Sequence, residues 1–318
     1  MYKKTLLLLF SSIVSFNLSS QDFSNINAIV YKYPETYSNP KKLADQISKD
    51  FTTETEKAMA VYSWITKNVS YDFNESGKYA YTYKNRKEYL KKDKKYVEKI
   101  SKRVISKGKA VCEGYSQLFK NICDHLGVIC FVVSGKAKTQ INDIGKRYSI
   151  DHAWNIVEIN FKKYLIDVTW GAGYYDTTLD KFIKKPNKFY FGTEPAVFIQ
   201  KHYPDLYENS LLKYTISKEE FSNWPLHYST KESQSITQIS PVNGILLRKN
   251  NTNQKIIFKY NQTIHSLKYN LNNKQYDYKS EIEYNDGEIE LEFDLSHTKA
   301  SELTIFINYQ PVVGFKLK

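Results

Sequence analysis

The chain has 318 residues, with 46 Lys and Arg against 34 Asp and Glu, a formal net charge of +12, and 27 tyrosines within a 15% aromatic share. So many aromatics exclude a disordered tail, and the length suits two or three domains with a sizeable core. The basic balance favours acidic partners such as anionic cell-surface polymers, lipid headgroups or acidic proteins.

Residues 1–20 read as an export signal. Lys3 and Lys4 form a basic start, Thr5 to Phe16 an apolar run, and Ser19-Ser20 a small-residue cleavage site. The run is too short to cross a bilayer, no cysteine near the cut offers a lipid anchor, and no later segment is apolar enough for a membrane span. The expected product is exported, periplasmic or secreted, and begins near Gln21 with a charge of about +10 once Lys3 and Lys4 are gone. Three cysteines, Cys112, Cys123 and Cys130, are an odd number for an oxidising compartment. A Cys123–Cys130 bridge would leave Cys112 as the thiol to explain.

A lead-in over 21–50 ends in a short helix from Lys41 to Phe51. Thr53 or Thr55 then caps a stronger one, "ETEKAMAVYSWITKNV", whose Ala58, Val61, Trp64 and Ile65 recur at helical spacing and predict one buried face. Trp64 therefore reads as core. Residues 78–109 are markedly basic ("KNRKEYLKKDKKYVEKISKRVISKGK"), as a solvated helix face or as a patch for an anionic cell-envelope partner. In "GKAVCEGYSQLFKNICDHLG" (108–127), Tyr115, Leu118, Phe119, Ile122 and Leu126 mark one helix face, and Gly127 is its C-terminal cap.

Three strand-like runs follow, "VICFVVSGKA", "HAWNIVEI" and "KKYLIDVTWG", with "NFKK" as a turn between the last two. A helix ahead of an antiparallel sheet predicts an α+β fold. Residues 178–230 read as irregular and aromatic, punctuated by Pro186, Pro195, Pro204 and Pro225. From about 236, short alternating runs separated by Asn, Gly and Asp turns predict a β-sandwich. The expected organisation is a signal over 1–20, an α+β domain over 21–230 and an Ig-like sandwich over 231–318. Holding no cysteine and few catalytic groups, the sandwich reads as a binding or spacer module.

Cysteine often packs as a small inert hydrophobe. Cys112, however, falls where the first turn of its helix begins, and there backbone amides and the helix dipole favour a negative sulfur. A nucleophilic thiol also needs a base and a group to orient that base. His152 opens one strand, and Asp167 in the partner strand comes opposite Asn155 or Ile156, near enough to steady the imidazole. Trp170 is a candidate to cover the site and bind substrate, the Cys112 amide is one oxyanion donor, and the second is unidentified. His202, in "KHYP", reads as structural. No CxxC pair, HExxH, EF-hand loop or glycine-rich phosphate loop occurs, so neither a metal nor another cofactor is expected.

Four blocks, "AVYSWITKNVSYD" (60–72), "VISKGKAVCEGYSQLFKNICDHLGV" (104–128), "DHAWNIVEI" (151–159) and "YLIDVTWGAG" (164–173), together resemble the transglutaminase-like superfamily, whose fold is related to papain-type cysteine proteases. "FYFGTEPAVFIQKHYP" (189–204) is similar to the segment after the core in an exported bacterial branch that resembles the kyphoscoliosis-peptidase group. The resemblance covers roughly residues 50–205. It implies Cys112 as nucleophile, His152 as base and Asp167 as orienting acid.

The expected function is an exported thiol enzyme acting on protein or peptide amides through an acyl-enzyme, as a peptidase or amidase or by transglutaminase-type transfer to an amine. The alternative is an inactive surface module binding cell-envelope protein or polymer. Nucleic-acid binding is set aside, since no recognised motif accompanies the basic stretch.

Overall fold

A computed structural model describes residues 20–77, 82, 84–176, 178–248, 253–260, 262–272, 274–278, 283–285 and 287–318. The expected export signal, apart from Ser20, lies outside them. Three helices come first: α1 (Ser20–Val30), α2 (Pro40–Asp50) and α3 (Glu54–Asn68). Asn39 caps α2, which begins with Pro40 rather than Lys41 because proline's missing N–H costs nothing at a first helical position. Thr53, not Thr55, caps α3: its hydroxyl accepts the Glu56 N–H at 3.2 Å, and the Glu56 carboxylate returns to the Thr53 N–H at 3.0 Å. The stretch from Ala58 to Thr66 is buried on every side rather than on one face, because α3 is a central helix. Trp64 is core, its indole N–H satisfied by the Pro34 carbonyl at 2.9 Å.

The chain then makes β1 (Ser70–Tyr71), α4 (Arg86–Lys107), β2 (Lys109–Ala110) and α5 (Cys112–Leu126), with β1 and β2 paired in parallel. In the basic stretch 78–109, positions 78–81 and 83 lie outside the described residues. Within α4, Ile100, Val104 and Ile105 face the core, the Arg103 guanidinium grips Glu75 through two nitrogens at 2.6 and 3.0 Å, and several lysines lie exposed. The five apolar residues expected on one face of α5 are all buried, and Gly127 ends the helix at φ +74°, a conformation that favours glycine.

The sheet under α5 is built from β3 (Ile129–Ala137), β4 (His152–Ile159), β5 (Lys162–Ile166), β8 (Phe191–Thr193) and β9 (His202–Pro204) in the antiparallel order β8-β5-β4-β3-β9. Between β5 and β8 come α6 (Val168–Ala172) and the hairpin β6 (Gly173–Asp176) and β7 (Lys181–Lys184); α7 (Pro195–Phe198) precedes β9. Two sequence expectations are corrected here. The third run stops being a strand at Ile166: the Asp167 carboxylate accepts the Trp170 N–H at 2.9 Å and starts α6 instead. The two-residue turn Asn160-Phe161, both at positive φ, pairs Asn155 with Ile166, so Asp167 lies one residue beyond the partner of Asn155. Nor is 178–230 irregular throughout, since it supplies both edge strands of the sheet, each too short to show alternation.

Gly135 sits where β3 passes between β4 and β9, level with His152 on one side and Pro204 on the other. A Cβ there would lie 2.2 Å from the Tyr203 carbonyl oxygen and 2.5 Å from the Trp154 ring. Gly135→Ala must therefore push β9 outward, at an expected cost above about 2 kcal/mol. Chemical denaturation checks this; an unchanged midpoint would mean that β9 moves freely.

The remainder contains α8 (Lys218–Asn223), β10 (Leu226–His227), α9 (Lys231–Gln234), β11 (Ile236–Ser240), β12 (Ile245–Leu246), β13 (Gln254–Tyr260), β14 (Leu267–Leu271), β15 (Lys274–Asp277), β16 (Glu283–Asn285), β17 (Glu288–Phe293), β18 (Glu302–Ile307) and β19 (Gln310–Leu317). One sheet runs β10-β19-β18-β14-β15 with β12 beside β19, the other β11-β13-β17-β16. Ile256, Phe258, Leu291, Ile305 and Phe315 share the sandwich core. Ile141, Ile144 and Leu226 pack as a small joint between it and the α+β part. Among the described residues, no helix is long and apolar enough to cross a membrane.

Candidate active site

Cys112 is the first residue of α5 and is half-exposed. Val111 at the N-cap supplies no side-chain acceptor, so the positive end of the helix is left to the residues around the sulfur. Gly114, one turn in, lets α4 and β2 close on the helix start: a Cβ there would meet the Ala110 Cβ at 2.9 Å and the Val104 side chain at 3.1 Å. Cys123 and Cys130 are a buried neighbouring pair of free thiols rather than a bridge. Burial and a hydrogen bond with Cys130 push the Cys123 thiol far above its ordinary range.

His152, the first residue of β4, places Nε2 2.7 Å from Asp167 Oδ2. Asp167 is fully buried, and its Oδ2 also meets His202 Nε2 at 2.9 Å while Oδ1 takes the Trp170 N–H. Burial alone would raise this carboxyl, but the two imidazoles hold it well below the usual carboxylate range. Burial also disfavours the His152 imidazolium, yet the charge and hydrogen bond of Asp167, helped by Cys112, raise its pKa to about 10. Because Nε2 is spent on Asp167, Nδ1 is the ring nitrogen left to serve the neighbouring Cys112. His202 goes the other way: burial outweighs Asp167 and lowers it to about 4. At neutral pH the three groups of the cluster therefore amount to one imidazolium, one carboxylate and one neutral imidazole, whose charges offset one another.

A family model of the transglutaminase-like superfamily matches residues 41–168, from α2 to the first residue of α6. Those residues form a transglutaminase-like domain. Human kyphoscoliosis peptidase is 30% identical over 238 residues, which is 74% of this chain and 34% of that protein. Drosophila melanogaster hillarin is 26% identical over 198 residues, 58% of this chain and 22% of that protein. The chain thus spans about a third or less of the length of these curated relatives. A solved TGase structure aligns with 57% of this chain and 40% of its own at 21% identity, with a TM-score of 0.28, too low to bear on the fold.

In the transglutaminase-like domain, Cys112, His152 and Asp167 lie together, and Trp170 lies against them. The Trp170 ring is half-buried, 5.6 Å from His152 and 4.3 Å from His202 between centroids, with Lys201 Nζ 4.4 Å over it. Trp170 thus shields the imidazoles. Lys201 is lowered to about 7 by burial and donates to Ser229 Oγ at 2.9 Å.

Two neighbours are not assigned to the site by the sequence. His202 was read as structural, yet it shares the Asp167 oxygen with His152, and its ring is stacked on Phe198 at 4.0 Å. Burial and the neighbouring Cys112 push the Tyr71 phenol up to about 12. "KHYP" and "SYD" carry no periodicity that could have flagged either. The ligand atoms of His152, Asp167 and His202 lie within 4.8 Å of one another and could in principle hold a metal ion. Both Nε2 atoms meet Asp167, and His202 Nδ1 is buried without a hydrogen-bond partner.

Proposed function

We propose that the protein is a thiol enzyme acting on protein or peptide amides through an acyl-enzyme. The observation that carries this is an imidazole hydrogen-bonded to a buried carboxylate and near enough to a half-exposed cysteine at a helix start to feel it. Cys112, its proton carried by His152, attacks the carbonyl carbon as a thiolate; His152 gives that proton to the departing amine, and a thioester remains. His152 then takes a proton from the acceptor as it attacks, and Cys112 leaves as thiolate. Water as acceptor makes a peptidase or amidase; a primary amine makes a transglutaminase-type transfer. Cys112 is half-exposed, which favours water as the acceptor and so hydrolysis. Residues 1–20 support export as the setting.

Intact-mass detection after incubation with a glutamine-containing peptide tests the proposal. An acyl adduct at Cys112 is expected, resolved to the free acid by water or to the amide when a primary amine is added. Absence of adduct and product with every peptide tried would overturn it. The protein would then be a surface module, and the exposed Lys87, Lys91, Lys94 and Lys95 of α4 would favour a salt-sensitive anionic partner.

A further inference from the structure

The C-terminal sandwich reads from sequence as a binding or spacer module, yet it reaches the acid end of the candidate triad. Leu226 and His227 of β10 pair with Gly314 and Val313 of β19, and the residues after β10 stay on that strand. The Tyr228 N–H bonds the Val312 carbonyl at 3.2 Å. Thr230 Oγ1 donates to the Pro311 carbonyl at 2.8 Å, and Ser233 Oγ to the Val312 carbonyl at 2.6 Å. Val312 and Val313 belong to the sandwich core, so the segment 226–233 is anchored there and is no free linker.

Ser229, in the middle of that segment, faces the other domain. Its Oγ accepts from Tyr190 Oη and, at 2.9 Å, from Lys201 Nζ, which occupies both lone pairs. These two residues are the ones that hold Trp170 and Asp167. The Tyr190 carbonyl accepts the Asp167 N–H at 2.9 Å, and the Tyr190 ring meets Trp170 edge-on at 5.7 Å. Lys201, the residue before His202, stands over the Trp170 face. Trp170 in turn gives its N–H to Asp167 Oδ1 and packs against both imidazoles. One serine oxygen on the sandwich side therefore ties down the polar ends of both side chains that hold Trp170.

We propose that Ser229 is a positioning residue, through which the sandwich keeps Asp167, and hence His152, aligned with Cys112. It touches neither substrate nor the reacting atoms. Removing its oxygen leaves a phenol and an amine without their acceptor and releases the Trp170 ring from its two holders. The Asp167–His152 pair is then free to drift, and small misplacements of a catalytic group are costly. The inference rests on the reading of Cys112 as a nucleophile served by His152.

Two reactions of the full chain separate alignment from general damage. Hydrolysis of an acetyl group placed on Cys112 by p-nitrophenyl acetate needs His152 to take a proton from water. Alkylation by iodoacetamide at pH 9.5, above the ordinary thiol range, needs only a thiolate, which solvent can make. In Ser229→Ala, loss of the acetyl group, followed by intact mass, should slow by about 10-fold, with alkylation within about twofold of wild type. Tyr190→Phe removes one of the two bonds from its other end and leaves the sandwich segment untouched. It should slow deacylation in the same sense by less, and it decides the matter if Ser229→Ala does not fold. Unchanged deacylation in a folded variant, or equal slowing of both reactions, would overturn the proposal. If wild-type Cys112 reacts with neither reagent, the thiol-enzyme reading itself fails, and this inference falls with it.

Discussion

Cys112→Ala is expected to abolish both the peptide adduct and amide turnover while leaving the fold intact. The side chain is half-exposed at the first position of α5, so its loss opens no cavity in the core, and alanine is the best helix former. Stability should move by no more than about 0.5 kcal/mol. The same variant tests thiol selectivity. At neutral pH iodoacetamide should add a single group to the wild type and none to the variant, because Cys123 and Cys130 are buried among the core side chains. Equal labelling of the two proteins, read by intact mass, would remove the claim of one accessible reactive thiol. A large fall in the denaturation midpoint would show instead that the sulfur holds the helix start together.

Where structure follows from neighbours in the chain, the sequence carried it. The apolar face of α5, its glycine cap, the Thr53 cap and the turn after β4 all depend on residues within a few positions of one another. Beyond residue 240 the short alternating runs hold strands, among them β12 to β15 and β17 to β19. What stayed hidden depends on distant partners. β9 is three residues long and earns its place by pairing with β3, Ala137 against His202, 65 positions apart in the chain. Nothing local in "KHYP" announces that, so His202 beside Asp167 was not foreseen. Asp167 itself was placed in a strand because "YLIDVTWG" is β-branched and aromatic, yet its carboxylate caps α6 and ends the strand. One side chain therefore terminates an element, starts the next and anchors two imidazoles. Gly135 is a like case, since only the approach of Tyr203 and Trp154 explains why a larger residue is barred there.

Asp167→Asn is nearly isosteric and isolates the charge. In hydrolases where a carboxylate orients a histidine, this change lowers kcat about 10⁴-fold by presenting the wrong partner to the ring. A loss of about 10³–10⁴ is expected here, with the Cys112 thiol still in place. The pH dependence of stability gives a second readout. Asp167 raises the folded-state pKa of His152 to about 10, above its ordinary 6.5, so their attraction is fully present below about pH 6.5 and is lost as pH rises through 10. The depressed Asp167 carboxyl contributes above the usual carboxylate range and loses that contribution as acid protonates it. Lys138 and Lys201 act oppositely over part of this range: each is lowered to about 7, so the folded state gains relative stability as pH climbs from there towards their ordinary 10.5. Lys138 is remote from the change, and Lys201 feels Asp167 only as a minor opposing charge, so both largely cancel when the two proteins are compared. Denaturant midpoints at pH 6, 8 and 9.5 should therefore show wild type ahead by about 3 kcal/mol or more at pH 6, a cost typical of breaking a buried pair, and the gap closing towards pH 9.5. Parallel curves would mean that His152 is not held charged by Asp167, and the proposed proton donor to the leaving amine would go with it.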